Sequence, residues 1–294
     1  PTWVHGLTYW ITARSSDSAG NTETLFSAPT DSRTVTFDLL ASTLQVTNWV
    51  STNANGPYYF NPTIASINGT SLDTPADIST MTIAISSASN GADNTWWNGT
   101  GFTSSFDETK VYFGTTTFTE GGSTDNWTWN RPSLDHGKTY LLRMRSRDQA
   151  SPYNERVQYS TFTYDAFRPT ATIAAPLIND YSTNTLVTIS GTSADQGSAV
   201  STITLFIGRG SGEGNNCYNP YSGGGVWTSA CPNFFPAGGT PANWSFAGVN
   251  WTSGYRYYIL TRASDSANNF PDTAIAGHFE LGKSSLSFIY DNAG

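Results

Sequence analysis

One passage occurs three times in this chain of 294 residues and limits its architecture more than any other feature. Gly6-Leu-Thr-Tyr9-Trp-Ile-Thr-Ala-Arg14-Ser-Ser-Asp17-Ser-Ala-Gly-Asn21 returns as Gly137-Lys-Thr-Tyr140-Leu-Leu-Arg-Met-Arg145-Ser-Arg-Asp148-Gln-Ala. It returns again as Gly254-Tyr-Arg-Tyr257-Tyr-Ile-Leu-Thr-Arg262-Ala-Ser-Asp265-Ser-Ala-Asn-Asn269. The copies are spaced by 145 − 14 = 131 and 262 − 145 = 117 residues. That is the size of a folded domain, far above the roughly 20 to 50 residues of a solenoid repeat. A second marker, Thr36-Phe-Asp38, Thr163-Tyr-Asp165 and Ile289-Tyr-Asp291, recurs at 165 − 38 = 127 and 291 − 165 = 126. The expected organisation is therefore tandem: residues 1–33 as the last strands of one domain, 34–161 and 162–287 as complete domains, and 288–294 as the start of another. Opening on Pro1 in mid-domain, the chain reads as a piece of a longer polypeptide, so targeting signals are expected outside it.

Within each repeat the apolar residues follow a strand pattern. Thr80-Met-Thr-Ile-Ala-Ile85, Thr202-Ile-Thr-Leu-Phe-Ile207, Thr34-Val-Thr-Phe37, Lys110-Val-Tyr-Phe113 and Leu186-Val-Thr-Ile189 are short, β-branched and bounded by turn residues. In the second copy of the repeated passage Tyr140, Leu142 and Met144 fall on one face, while Leu141, Arg143 and Arg145 fall on the other, so Arg145 and its counterpart Arg262 are expected to point outward. Asn126-Trp-Thr-Trp129 and Asn243-Trp-Ser-Phe246 alternate likewise, which makes Trp127, Trp129, Trp244 and Phe246 core candidates. The fold class expected is all-β, with tandem antiparallel sandwiches. Two stretches, Ser87–Phe106 and Gly208–Ala242, exceed what a minimal sandwich needs and are rich in Asn, Gly, Trp and Tyr, so they are the expected places for recognition.

Leu134-Asp-His-Gly137-Lys-Thr-Tyr140 resembles the Leu-x-Pro-Gly-x-x-Tyr signature of fibronectin type III domains, and Asp17 to Asn21 is similar to the Asp-x-Ala-Gly-Asn run of bacterial immunoglobulin-like repeats of large cell-surface proteins. His5, His136 and Ser253 stand where the signature has Pro, and Trp3 and Trp251 stand where it has Leu. The resemblance implies that Tyr9, Tyr140 and Tyr257 form tyrosine corners, their hydroxyls bonded to nearby backbone.

Composition removes several classes of function. A net charge of −8 with pI near 4.7 and no basic cluster is incompatible with a nucleic-acid partner. The apolar runs are strand-length, far short of the roughly 18 residues that span a bilayer, so no membrane span is expected. With only 12% charged residues, the surface is carried by hydroxyls and amides, as in extracellular or cell-surface proteins. Cys217 and Cys231, the two cysteines, share one loop at a spacing that suits a local disulfide; a pair of buried thiols is the other reading.

Candidate chemistry is sparse. Of the histidines His5, His136 and His278, the first two hold one repeat position that Ser253 fills in the third copy, which disqualifies them as catalytic bases. Asp107, Glu108 and Glu120 have no counterparts in the third repeat and read as solvated loop carboxylates rather than a glycosidase pair. Asp17, Asp148 and Asp265 close the repeated strand, and Asp38, Asp165 and Asp291 open each new repeat. Local turns that satisfy backbone N–H groups are the favoured reading, with no cofactor. The other is Ca²⁺ at the domain junctions, with Asp38 and Asp165 as ligands, although sequence shows only one or two carboxylates per junction. Sequons at Asn68, Asn98, Asn126, Asn243 and Asn250 are glycosylation candidates, Asn126 and Asn243 on outward positions.

The function expected is non-enzymatic: a structural repeat segment of a long extracellular protein, stalk or filament, whose partners are neighbouring domains or copies of the same protein. A carbohydrate-binding or adhesive module is the alternative, and it requires Trp96, Trp97, Tyr218 or Tyr221 to be exposed for surface glycans, whereas packing in the core or at a domain junction is the favoured reading of these aromatics. Accessory domains of a secreted polysaccharide-degrading enzyme are a third reading.

Overall fold

A computed structural model describes residues 2–25, 32–51, 56–111, 113–114, 117–119, 124–177, 186, 188–210, 216–229, 234–270 and 283–292. It divides into two compact units. One comprises Pro1–Trp49, Ile64–Ser133 and Thr139–Thr161; the other comprises Val50–Thr63, Leu134–Lys138 and Phe162–Gly294. No helix among the described residues is long and apolar enough to cross a membrane.

In the first unit a sheet ordered Thr117–Thr119, Asp125–Asn130, Ser66–Leu72, Thr43–Val46 is antiparallel throughout. A second sheet takes Thr139–Asp148 against Ile78–Ser86, with Arg145 opposite Thr82. Alternate residues turn inward, and Leu44, Val46, Ile67, Ile83, Ile85, Trp127, Trp129, Tyr140, Leu142 and Met144 are buried. The other unit repeats this order. Thr170–Ala175, Thr188–Ala194, Asn243–Ala247 and Gly238–Thr240 form one sheet, and Val200–Arg209, Arg256–Asp265 and Ser285–Ile289 the heart of the other, with Arg262 opposite Thr204. Its core joins both sheets through Ile173, Ile189, Trp244, Leu205, Ile207, Tyr257, Ile259 and Phe288. Both units are β-sandwiches, antiparallel apart from the parallel pairing of Thr163 and Tyr164 with Tyr59 and Phe60.

The repeated passage has the same local geometry in all three copies. Gly6, Gly137 and Gly254 have φ of 80°, 76° and 81°, which a Cβ would strain. Each donates its N–H to the end of the last strand: to Phe37 O at 2.9 Å, Tyr164 O at 2.8 Å and Tyr290 O at 2.8 Å. The turn therefore pins the next strand to the point where the chain leaves the sandwich. Strands Ser32–Thr36, Glu155–Tyr164 and Ser285–Ile289 run through residues 33, 161 and 287, where the sequence reading placed its divisions.

Tyrosine hydroxyls brace the same turn. Val4 N donates to the Tyr9 hydroxyl at 2.7 Å. In the third copy Thr252 N donates to the Tyr257 hydroxyl at 2.8 Å, and that hydroxyl donates to Thr252 O at 3.1 Å. Tyr140 and Tyr257 are fully buried. Tyr257→Phe leaves the Thr252 amide and carbonyl without this partner and should cost about 1–2 kcal/mol in urea denaturation. An unchanged midpoint would remove the hydroxyl from the list of stabilising groups.

Two expectations are corrected. Arg143 is only 8% exposed, and Arg145 lies on the outer face without being solvated. The long stretch after Ser86 folds back over that face: Ala84, Trp96, Val111 and Leu141 make a separate apolar cluster, and the Arg143 guanidinium sits 4.6 Å over the Phe106 ring. Arg262 is covered similarly, 4.7 Å over Phe234. Lys110-Val-Tyr-Phe113 is not one strand, because Glu108–Val111 forms a helical turn; the Asp107 carboxylate accepts Thr109 N at 2.9 Å, and this cap outweighs β propensity. Glu108 is exposed, as expected of a solvated loop carboxylate, but it also bridges Arg143 at 3.2 Å and Arg145 at 2.7 Å.

Candidate functional site

The aspartates that close and open the repeats converge with a third that the sequence reading did not single out. Asp38 and Asp165 leave the last strand of one repeat. Asp73 and Asp195 directly follow the strands Ser66–Leu72 and Thr188–Ala194, and Asp148 and Asp265 end Thr139–Asp148 and Arg256–Asp265. In each cluster, one carboxylate oxygen from every member lies within 4.8 Å of the others.

Asx turns fix the strand-end members. Asp148 Oδ1 accepts Ala150 N at 3.0 Å and Asn154 N at 2.9 Å, while Oδ2 accepts Asn154 Nδ2 at 2.8 Å. Asp265 accepts Asn269 N at 2.7 Å and Asn269 Nδ2 at 3.0 Å. Asp17 does the same with Ala19 and Asn21. Asn154 is thus the counterpart of Asn21 and Asn269, displaced two positions along the chain and hidden from pattern matching.

The other members are less well served. Asp165 is fully buried, and its Oδ1 accepts Phe167 N at 3.1 Å, but its Oδ2 has no hydrogen-bond donor. Asp195 Oδ2 accepts Gly197 N and Ser198 N at 3.0 and 2.7 Å, and its Oδ1 has none. Asp73 is 7% exposed; Oδ1 accepts Thr74 N at 2.9 Å and Oδ2 again has none. A charged oxygen held out of water without a donor is costly.

Electrostatics registers the strain. Burial, reinforced by the neighbouring Asp38 charge, lifts the Asp73 carboxyl from the ordinary 3.8 to about 6. Asp265 is also raised to about 6, by burial first and against the hydrogen bonds from Asn269, with Asp165 and Asp195 adding repulsion. Asp17, in the same turn motif but fully exposed, shifts the other way because the Asn21 side-chain bond dominates.

The position occupied by His, His and Ser also has a structural role. His5 Nδ1 lies 3.2 Å from Asp38 Oδ1, His136 Nδ1 lies 3.3 Å from Asp165 Oδ1, and Ser253 Oγ donates to Asp291 Oδ1 at 3.0 Å. Both imidazole nitrogens already accept an amide hydrogen, from Leu39 at 3.2 Å and from Ala166 at 3.1 Å, so neither donates to its carboxylate.

The remaining candidates separate clearly. Trp96 is 4% exposed, with its indole N–H on Gly91 O at 3.1 Å, and Tyr218 is 2% exposed, with its hydroxyl on Gly248 O at 2.7 Å. Neither can stack on a glycan. Both belong to strands that the insertions add to the sheets, Trp96–Trp97 beside Ser86 and Cys217–Asn219 beside Gly208, which carries their rings inward. Trp97 is half-buried against Phe102, and Tyr221 alone of the four is well exposed, at 73%. Cys217 is disulfide-bonded; Cys231, the one other cysteine in the sequence, lies outside the described residues, as do His278 and Glu120. Asn126, Asn243 and Asn250 are exposed, whereas Asn68 and Asn98 are half-buried, the Asn98 carbonyl capping Thr100 N and Gly101 N at 3.0 Å each.

No protein-family model and no curated protein sequence matches the chain. Among solved structures it is similar to a DUF4785 family protein from Legionella pneumophila at 10% identity and TM-score 0.31, covering 77% of this chain and 52% of that one. It is also similar to the I67–I69 I-band fragment of titin, at 9% identity and TM-score 0.31, covering 86% and 66%. For the protocadherin GammaB4 extracellular domain the values are 10% and 0.25, covering 97% and 38%. The chain therefore spans about half the length of the Legionella protein. Similarity at these scores carries no functional inference.

Proposed function

We propose that this chain is a non-enzymatic structural segment of a long extracellular surface protein, a stalk or filament, assembled from bacterial immunoglobulin-like or fibronectin type III-like repeats. One observation carries the reading: what the two units hold in common is scaffold. The same strand order, the Gly69–Trp127 and Gly191–Trp244 cross-strand pairs and the same aspartate cluster are built twice. The insertions differ in length and content, and they bury Trp96, Tyr218 and Phe235 while leaving Tyr221 exposed. In this reading the repeat runs from Asp38 to Tyr164 and from Asp165 to Tyr290, and its partners are neighbouring repeats of the same protein.

Stretched between its ends in a force spectrometer, the purified chain should unfold in separate steps. Each step should release roughly 40 nm of contour, the extended length of one repeat at about 3.3–3.6 Å per residue. A single merged step, or hydrolysis of glycans or peptides by the purified chain, would overturn the assignment.

A further inference from the structure

We propose that Asp165, Asp195 and Asp265, and equivalently Asp38, Asp73 and Asp148, are two calcium-binding sites, one in each compact unit. The carboxylates converge from three separate points of the chain onto a sphere whose oxygens lie within 4.8 Å of one another. Calcium is bound by oxygens at about 2.3–2.6 Å, so the two sides of its shell are about 4.6–5.2 Å apart.

Proximity alone would not make a site; the unmet oxygens do. Asp165 is fully buried and its Oδ2 has no donor. It cannot turn away to water, because Gly197 packs so closely that a Cβ there would fall 2.3 Å from Asp165 Oδ1. Asp73, 7% exposed, presents the same unmet Oδ2 in the other cluster. Among the described residues no lysine or arginine forms an ion pair with any of the six carboxylates, and the His5 and His136 nitrogens that approach them accept amide hydrogens. Three carboxylates are thus held together by a rigid frame of Asx turns with no lysine or arginine paired to them among the described residues.

The donor set selects the metal. Carboxylate oxygens without thiolate or available imidazole favour a hard cation over zinc or copper. Magnesium demands a near-ideal octahedron and retains several waters, whereas calcium accepts six to eight oxygens in irregular geometry and suits carboxylates fixed by the fold rather than by the ion. The remaining ligands would be backbone carbonyls and water. The bound ion would fasten the segment leaving one repeat to two strand ends of the next. This assignment does not depend on the structural role proposed above.

Calorimetric titration of the chelator-stripped chain with calcium chloride should give two ions per chain. The melting temperature should rise by about 10 °C at calcium a hundredfold above Kd, with a clearly smaller response to magnesium. Asp195→Asn should reduce the stoichiometry to one, and the double variant with Asp73→Asn should abolish binding. In chelator both variants should melt above the unmodified chain, because one of three repelling charges has been removed from each altered cluster. The proposal falls if roughly 10 mM calcium produces neither heat nor a melting shift, if the double variant responds as the unmodified chain does, or if magnesium acts equally. Should the double variant fail to fold, the stoichiometry of the unmodified chain and of Asp195→Asn decides.

Discussion

Trp244→Ala should remove about 3–5 kcal/mol from the stability of its unit, a large share of the roughly 5–15 kcal/mol that a domain possesses. The indole is 1% exposed, lies in the core that joins both sheets, and donates to Thr192 O at 3.2 Å. Truncation removes the largest apolar surface in that core and leaves a cavity that strands on both sides cannot collapse to fill. Trp127→Ala should do the same in the other unit, where the ring is again 1% exposed. Guanidinium denaturation followed by fluorescence reads the loss, and a change below about 1 kcal/mol would show that the ring is not the keystone argued here.

Gly191→Ala should be comparably severe, at about 3 kcal/mol or more, for the opposite reason. A Cβ at this position would lie 2.0 Å from Thr172 O and 2.2 Å from Trp244 Cζ2. The first obstacle is backbone, so no rotamer change relieves it. Gly69 faces the same restriction, with Trp127 Cζ2 at 2.0 Å and Gln45 O at 2.2 Å. Each glycine sits opposite its tryptophan on the adjacent strand and supplies the hollow into which the indole lies. Gly254→Ala is the control: its Cβ meets nothing within 4 Å, so it bears only the strain of a φ of +81°, about 1–2 kcal/mol. Equal melting temperatures for the two alanine variants would refute the steric account.

The tandem all-β design was legible because both of its signals are local. Period-2 alternation in Asn126–Trp129 and Tyr140–Arg145 follows from strand geometry alone, and a turn that needs φ > 0 keeps its glycine in every copy. The insertions are the expected places for recognition, but core or domain-junction packing is the favoured reading of their Trp96-Trp97 and Tyr218–Tyr221 clusters, and Trp96 and Tyr218 are buried. Trp96 and Tyr218 stand among Gly and Asn, which locally reads as exposed loop, yet each lies on a short strand added to a sheet edge, and no local pattern reveals that the edge was vacant. Arg143 was placed on the correct face, but alternation assigns faces and does not show what later covers them.

The candidate site was half visible. Asp38, Asp148, Asp165 and Asp265 recur at module spacing, so sequence comparison alone finds them. Asp73 and Asp195 escaped because they lie at different distances from the linker aspartates, 73 − 38 = 35 and 195 − 165 = 30 residues, and no shared neighbours mark them.

By itself, then, the order of residues determined the tandem repetition, the β character, which apolar residues point inward, and the turns made by Gly, Tyr and Asp, since each is written in a few neighbouring positions along the chain. Tertiary structure alone decided which aromatics are covered, how Gly69 and Gly191 receive their tryptophans, and that three aspartates from distant strand ends share one buried space. Those outcomes depend on which strands become neighbours across long loops, and burial and charge repulsion come into force only once the sheets have closed.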